Sequence, residues 1–194
     1  MDRAGVLQGV RQMRFEGLLE RLQAPGIPKY SHSSRDVKRP GMDKLSGMTA
    51  LVTGSTDGVG RLVANKLGQA GARVLVHGRD AERGARVVAD IEANGGAADF
   101  LAADLSALTE VNRLAEAVEA TADRLDILIN NAGIGTAGPR QTSAEGFELR
   151  FAVNYLAGFL LTLLLLPLIK KSTPARIVNV SSAGHSRSIS PTSC

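Results

Sequence analysis

Thr53-Gly54-Ser55-Thr56-Asp57-Gly58-Val59-Gly60 decides how this chain is read. It follows the apolar, β-branched run from Thr49 and opens a helical pattern over Arg61 to Ala70, with Gly71 as its stop. Glycines at 54, 58 and 60 permit a tight turn and let backbone N–H groups approach a pyrophosphate, which the N-terminus of the following helix also attracts. A spaced-glycine loop by itself is a weak signal, since a plain strand–helix turn has the same composition. Here it stands in the strand–loop–helix setting that dinucleotide binding requires.

Outward from the loop, strand and helix patterns alternate. Strands are predicted at Arg73 to His77, Ala98 to Ala102, Asp126 to Asn130 and Arg176 to Ser181. Helices are predicted at Ala81 to Ala93, Leu108 to Ala122 and Ala144 to Lys170, the last broken near Phe151. Apolar strands separated by helices imply an α/β fold, a doubly wound parallel sheet of about five strands covered on both faces. No solenoid-type repeat is present. Residues 1–46 read as an N-terminal extension: Phe15, Leu18, Leu19 and Leu22 share one helical face, Pro25-Gly26 stops that helix, and a polar linker follows. This extension is read as an appended tail, with a partner-docking helix as the alternative. Residues 47–187 form the predicted dinucleotide-binding domain, and 188–194 a polar tail.

The net charge of +4 sits at the two ends. Residues 1–46 carry nine Lys/Arg against five Asp/Glu, whereas residues 47–169 carry ten against fourteen. That distribution argues against a nucleic-acid partner, for which a basic face on the folded domain is needed. A single cysteine, Cys194, excludes an intrachain disulfide and a cysteine metal site, and a cytoplasmic setting is expected. No secretory h-region is read at the N-terminus. Leu156 to Ile169 is the most apolar stretch; with Pro167 inside it, it reads as a buried helix rather than a membrane span. No metal site is expected.

Three ordered motifs resemble the short-chain dehydrogenase/reductase family across residues 45 to 187: Thr53-Gly54-x-x-x-Gly58-x-Gly60, Asn130-Asn131-Ala132-Gly133, and Ile177-Val178-Asn179-Val180-Ser181-Ser182. The wording around Ser182 is similar to the retinol-dehydrogenase-like branch. The resemblance implies a Rossmann-like fold and hydride transfer between a nicotinamide cofactor and a small-molecule alcohol or carbonyl, with a homo-oligomer possible. It assigns cofactor contacts to Gly54, Ser55, Asp57, Gly58, Val59 and Gly60, and to Arg79, Asp104, Leu105, Asn131, Ala132 and Gly133. Gly78 stands where an NAD-selecting acid would be and Arg79 follows, so NADP is expected over NAD; a solvated surface arginine is the alternative. Asp104 would contact adenine, cap the next helix, or both.

For the chemistry, the resemblance makes Asn154 the support of a proton-relay water and Ser182 the hydroxyl that steadies the substrate carbonyl. A helix-kink or capping role is the structural alternative for Asn154, whose amide is expected to be buried. Only register separates Ser182 from Ser181. The family's proton donor is a tyrosine with a lysine one turn later, the ammonium lowering the phenol's pKa. Ala183 to Cys194 contains neither residue; Tyr30, Tyr155, Lys170 and Lys171 all precede Ser182, and His185 is not expected to substitute. The sequence is therefore read as a truncated reductase with impaired turnover and an uncovered fifth strand. A non-catalytic dinucleotide-binding module or partner protein is the second reading, and nucleic-acid binding through residues 1–46 a weaker third.

Overall fold

The computed structural model describes residues 45–135 and 138–181. The chain divides into two units, Met1–Arg39 and Pro40–Cys194, and all described residues belong to the second. The helix expected around Phe15 to Leu22, and Tyr30, Ser182, His185 and the 188–194 tail, lie outside the described residues.

Five strands form one parallel sheet: β1 (Thr49–Val52), β2 (Arg73–Gly78), β3 (Ala97–Ala102), β4 (Ile127–Asn130) and β5 (Arg176–Asn179), in the order β3-β2-β1-β4-β5. Leu51 lies opposite Leu75 of β2 and Leu128 of β4. The chain runs outward from β1 through α1 (Gly58–Gln69) and α2 (Ala81–Ala93) to β3, then returns through α3 (Leu108–Thr121) to β4 on the other side. That reversal leaves a crevice beyond the carboxyl ends of β1 and β4, where doubly wound sheets bind ligands.

Period-two alternation divides the core. Leu51, Leu75 and Leu128 face one side and pack with Leu114 and Val118 of α3. Leu161 and Leu165 join them from a helix described below. Val52, Val74, Val76 and Ile129 face the other side against Ala64, Val87 and Ile91 of α1 and α2. Each fully buried Leu or Val is worth about 1.5–3 kcal/mol of transfer free energy, so β1 is anchored from both faces. Asp126, just before β4, fixes the register from the other end: its carboxylate accepts from the Thr49 N–H at 2.9 Å and pairs with Arg124.

The last helical region departs from expectation. Ala144 to Glu148 is a turn, not helix: the Gly146 N–H donates to the Ser143 carbonyl at 3.0 Å and Gly146 has φ +83°. Glu148 then caps the helix by accepting from the Phe151 N–H at 2.8 Å. One α-turn, α4 (Leu149–Phe151), leads into a π-helical turn (Ala152–Leu156) and then α5 (Ala157–Lys170). The predicted break near Phe151 is this π turn. The region runs unbroken from Leu149 to Lys170, 22 residues whose most apolar 18-residue window has a mean hydropathy of 2.1, long and apolar enough by composition to cross a membrane. The segment expected at Leu156 to Ile169 is thus part of a longer helical region, extended at its N-terminal end by α4 and the π turn, and it is buried on one side only. Ala157, Leu161 and Leu165 are buried against the sheet, while Tyr155, Phe159 and Leu163 are more than half exposed on the opposite side.

Candidate functional site

The glycine loop is built by close approach. Gly54 has φ +64°, and a Cβ there would lie 2.8 Å from the Ala132 Cα. A Cβ on Gly60 would collide with the Gly54 carbonyl oxygen. These two positions demand glycine and bring the start of α1 against the residues that follow β4. Asp57 caps α1, its carboxylate accepting from the Gly58 N–H at 2.7 Å. The N–H groups of Val59 and Gly60, in the first turn, have no intrahelical acceptor, as at any helix start. Val59 is 63% exposed. Ser55 is fully buried, and its hydroxyl donates to the Val52 carbonyl at 2.8 Å while accepting from the His77 N–H at 2.9 Å. Its side chain braces the loop from beneath and does not line the crevice.

Two arginines surround the end of β2. Arg79 lies 3.8 Å from the Asp104 carboxylate and is largely exposed. Arg83, in the first turn of α2, reaches both Asp57 and Asp80 at 3.4 Å. Asp80 caps α2 by accepting from the Arg83 N–H at 3.0 Å, which holds its carboxyl below the usual range. Partial burial would raise Asp104, but hydrogen bonds from Ser106 and the Arg79 charge outweigh it and leave the carboxyl lowered. Asp104 accepts from the Ser106 N–H at 3.0 Å, and its neighbour Leu105 is 5% exposed and packs into the core. Asp104 turns the chain after β3 and does not cap α3; Ala107 stands at the N-cap position without a side-chain bond, and Glu145 accepts from the Leu108 N–H at 2.8 Å.

Across the crevice, the ends of β1 and β4 are locked together. The Thr53 hydroxyl oxygen accepts from the N–H groups of Asn131 and Ala132 at 2.9 and 3.0 Å. The Asn131 amide donates to the carbonyls of Thr53 and Gly54 at 2.9 and 3.2 Å. Asn131 is thus spent on the loop's backbone, and Ala132 and Gly133 present the wall next to it.

The family model of the short chain dehydrogenases matches residues 48–192. This chain belongs to that family. It is 43% identical over 156 residues to human dehydrogenase/reductase SDR family member 13, a match covering 78% of this chain and 41% of that one. It is 42% identical over 144 residues to human retinol dehydrogenase 11, covering 73% of this chain and 45% of the relative. These relatives put it in the retinol-dehydrogenase-like branch of the short-chain dehydrogenases. A metagenomic short-chain oxidoreductase solved in complex with NADP is 38% identical with a TM-score of 0.64, over 71% of this chain and 63% of that chain. The chain spans less than half the length of the curated relatives it matches.

Of the two side chains that the short-chain dehydrogenase resemblance assigns to chemistry, the structure describes Asn154. It sits in the π turn, where its Oδ1 accepts from the Ile134 N–H at 2.8 Å and its Nδ2 donates to the Ile134 carbonyl at 3.1 Å. Asn154 is exposed, not buried as expected: the π turn swings it off the packed face, and the Ile134 backbone satisfies the amide. A cavity of about 220 Å³ opens beside it, lined by Ile134, Gly135, Gln141, Glu148 and Arg150. Arg150 donates to the Gly135 carbonyl at 3.1 Å and so braces the same segment. Ser181 is exposed just beyond β5. Tyr155 is stacked between Phe151 and Phe159 at centroid distances of 5.4 and 6.3 Å.

Three residues of this arrangement have no role assigned from sequence: Thr53, which appears only as a motif position, His77 and Arg83. Thr53 immediately precedes the first glycine, a position that a hydroxyl reading would find. Arg83 stands three residues beyond a capping Asp, so its proximity to Asp80 was legible, but its reach to Asp57 required the fold. His77 had no local signal. It lies at the end of an otherwise apolar strand, and its partner, Gly54, is on a different strand end.

Proposed function

We propose that this chain binds NADP(H) between the Gly54–Gly60 loop and Arg79, and that the reaction served is hydride transfer to or from a small alcohol or carbonyl. The reading rests most on the arginine pair around Gly78, with no carboxylate at residue 78 to oppose a 2′-phosphate. Arg79 and Arg83 would hold that phosphate as bidentate, permanently charged partners. The first-turn N–H groups of α1 would take the pyrophosphate, Asp104 and Leu105 the adenine side, and Ala132 and Gly133 the nicotinamide side. The nicotinamide, when bound, supplies the carbon that gives or accepts hydride. Asn154 would support a relay water, and Ser182 would steady the substrate oxygen as charge develops.

A non-catalytic dinucleotide-binding module is the second reading: the one tyrosine among the described residues, Tyr155, is 57% exposed in an aromatic stack. A cytoplasmic setting without membrane insertion is proposed too, supported by the packing of Leu161 and Leu165 into the core. A second copy of the chain is the proposed protein partner, supported by the exposed Phe151, Tyr155, Phe159 and Leu163 stripe.

Calorimetric titration with NADP+ and NAD+ tests the central claim. Saturable binding at least about tenfold tighter for NADP+, with the preference lost in Arg79→Ala, is expected; tenfold corresponds to about 1.4 kcal/mol. Absence of binding to either dinucleotide would overturn it.

A further inference from the structure

His77 is 2% exposed at the end of β2, directly beneath the glycine loop. Its ring does not line an apolar pocket by default. The Gly54 N–H donates to its Nδ1 at 3.0 Å, across 23 residues of sequence. Its backbone joins the same loop twice, accepting from the Ser55 N–H at 2.8 Å and donating to the Ser55 hydroxyl at 2.9 Å. Gly54 is the residue whose left-handed backbone starts the turn and whose carbonyl accepts from Asn131. One imidazole therefore sets the orientation of the first peptide in the loop.

An imidazole nitrogen that accepts from an amide carries no proton, so the neutral ring must hold its proton on Nε2. Nε2 makes no hydrogen bond of ordinary geometry, although the Ala103 backbone is near enough to favour a proton there. Among the described residues, the charged group that faces the ring is Asp104, after β3, itself paired with Arg79. From the loop after β1 the ring accepts from the uncharged Gly54 N–H, and the residue paired with His77 on β3 is the uncharged Leu101.

We propose that His77 is the positioning residue of the dinucleotide loop: its neutral, Nε2-protonated ring clamps the Gly54 N–H and holds the loop in its binding shape. The role rests on the dinucleotide reading above, but the clamp itself exists without ligand. A ring protonated on both nitrogens has no lone pair for Gly54, so the clamp opens only in acid. Burial supports that order of events by pushing the His77 pKa down to about 4, against the pull of Ala103 and Asp104.

Asn and Ala substitutions separate clamp from bulk. His77→Asn places an amide oxygen near the Nδ1 position and keeps an acceptor for Gly54; His77→Ala removes it and leaves a half-buried N–H unpaired. On the full chain at pH 7.5, NADP+ affinity is expected to fall roughly tenfold in His77→Ala and to stay within about threefold of wild type in His77→Asn, the scale of one unmade buried hydrogen bond. Equal losses in the two variants, or no loss in His77→Ala, would overturn the proposal. Imidazole nitrogen NMR of the unliganded chain supplies a second readout, with His77→Asn identifying the His77 signals among three histidines. An Nε2–H tautomer at neutral pH, and a Gly54 amide shift that follows the His77 titration, are expected. An Nδ1–H tautomer, or a charged ring at pH 6, would overturn the clamp even if His77→Ala does not fold. If wild type binds no dinucleotide while the NMR result stands, the dinucleotide reading fails and the clamp survives.

Discussion

The two sides of this sheet are built to different standards. Around β1 and β2 nearly every residue is buried, and the strand ends are tied by Thr53, Ser55, His77 and Asn131 into one hydrogen-bonded lattice. On the β5 side all four strand residues are exposed, with Ile177 at 39% and Val178 at 44%. Both regions are apolar in sequence, so hydrophobicity does not separate them. Coverage does: β1 has a strand on either side and helices on both faces, whereas β5 has only β4 beside it among the described residues. The dinucleotide half can thus hold its shape by its own contacts, and the half that includes β5 offers an apolar surface.

The largest way to break that contrast is a paired truncation. Leu128→Ala, in the fully buried centre of β4, is expected to cost about 2–5 kcal/mol through lost transfer energy and the cavity left behind. Val178→Ala, one strand away, is expected to cost less than about 1 kcal/mol because the residue is already 44% exposed and leaves no closed cavity. Urea unfolding of both variants measures the difference, and near-equal losses would show that β5 is covered in solution.

A second test uses acid. His77 stays neutral in the folded chain down to about 4, whereas an unfolded histidine protonates near its ordinary 6.5. Between those values the unfolded chain binds more protons, so stability is lost as pH falls from 6.5 toward 4 and is flat above that window. The loss is on the order of 3 kcal/mol at most. The difference between wild type and His77→Asn, measured by denaturant unfolding at several pH values, isolates this part from the carboxylates. Parallel curves would mean that the ring is not held neutral.

Thr53→Val should come next. It removes the acceptor shared by the Asn131 and Ala132 N–H groups while preserving shape, at an expected cost of about 1–3 kcal/mol for unpaired backbone donors. Loss of dinucleotide affinity should accompany it, because Asn131 also holds the Gly54 carbonyl. Unfolding and titration on the same variant check both.

How much of this was legible depended on the range of the interaction. Strand and helix identities were readable because Ala81 to Ala93 or Arg73 to His77 carry their period locally, and the glycine loop announced the crevice. The turn at Ala144 to Glu148 was not, since its residues are compatible with helix and the positive φ of Gly146 decides otherwise. Arg79 and Asp104 were found as separate candidates; that they face each other depends on β2 and β3 ending side by side. His77 looked like one polar residue in an apolar strand, and only the juxtaposition of two strand ends gives its ring a partner.

The smallest expected effect lies within a single helical region and carries the same lesson. Leu161 of α5 is fully buried, while Tyr155, one and a half turns earlier in the π turn, is 57% exposed between Phe151 and Phe159. Both are large side chains of one continuous helical region. Tyr155→Ala forfeits two stacking contacts and little buried area, so its expected cost is about 0.5–1 kcal/mol. The same substitution at Leu161 should cost several times more by the cavity argument. A Tyr155→Ala loss that matches Leu161→Ala, and that grows with protein concentration in wild type, would show the aromatic stripe buried against a second molecule in solution. A small, concentration-independent loss would leave it a wet face, with the stability of the helix resting on Ala157, Leu161 and Leu165.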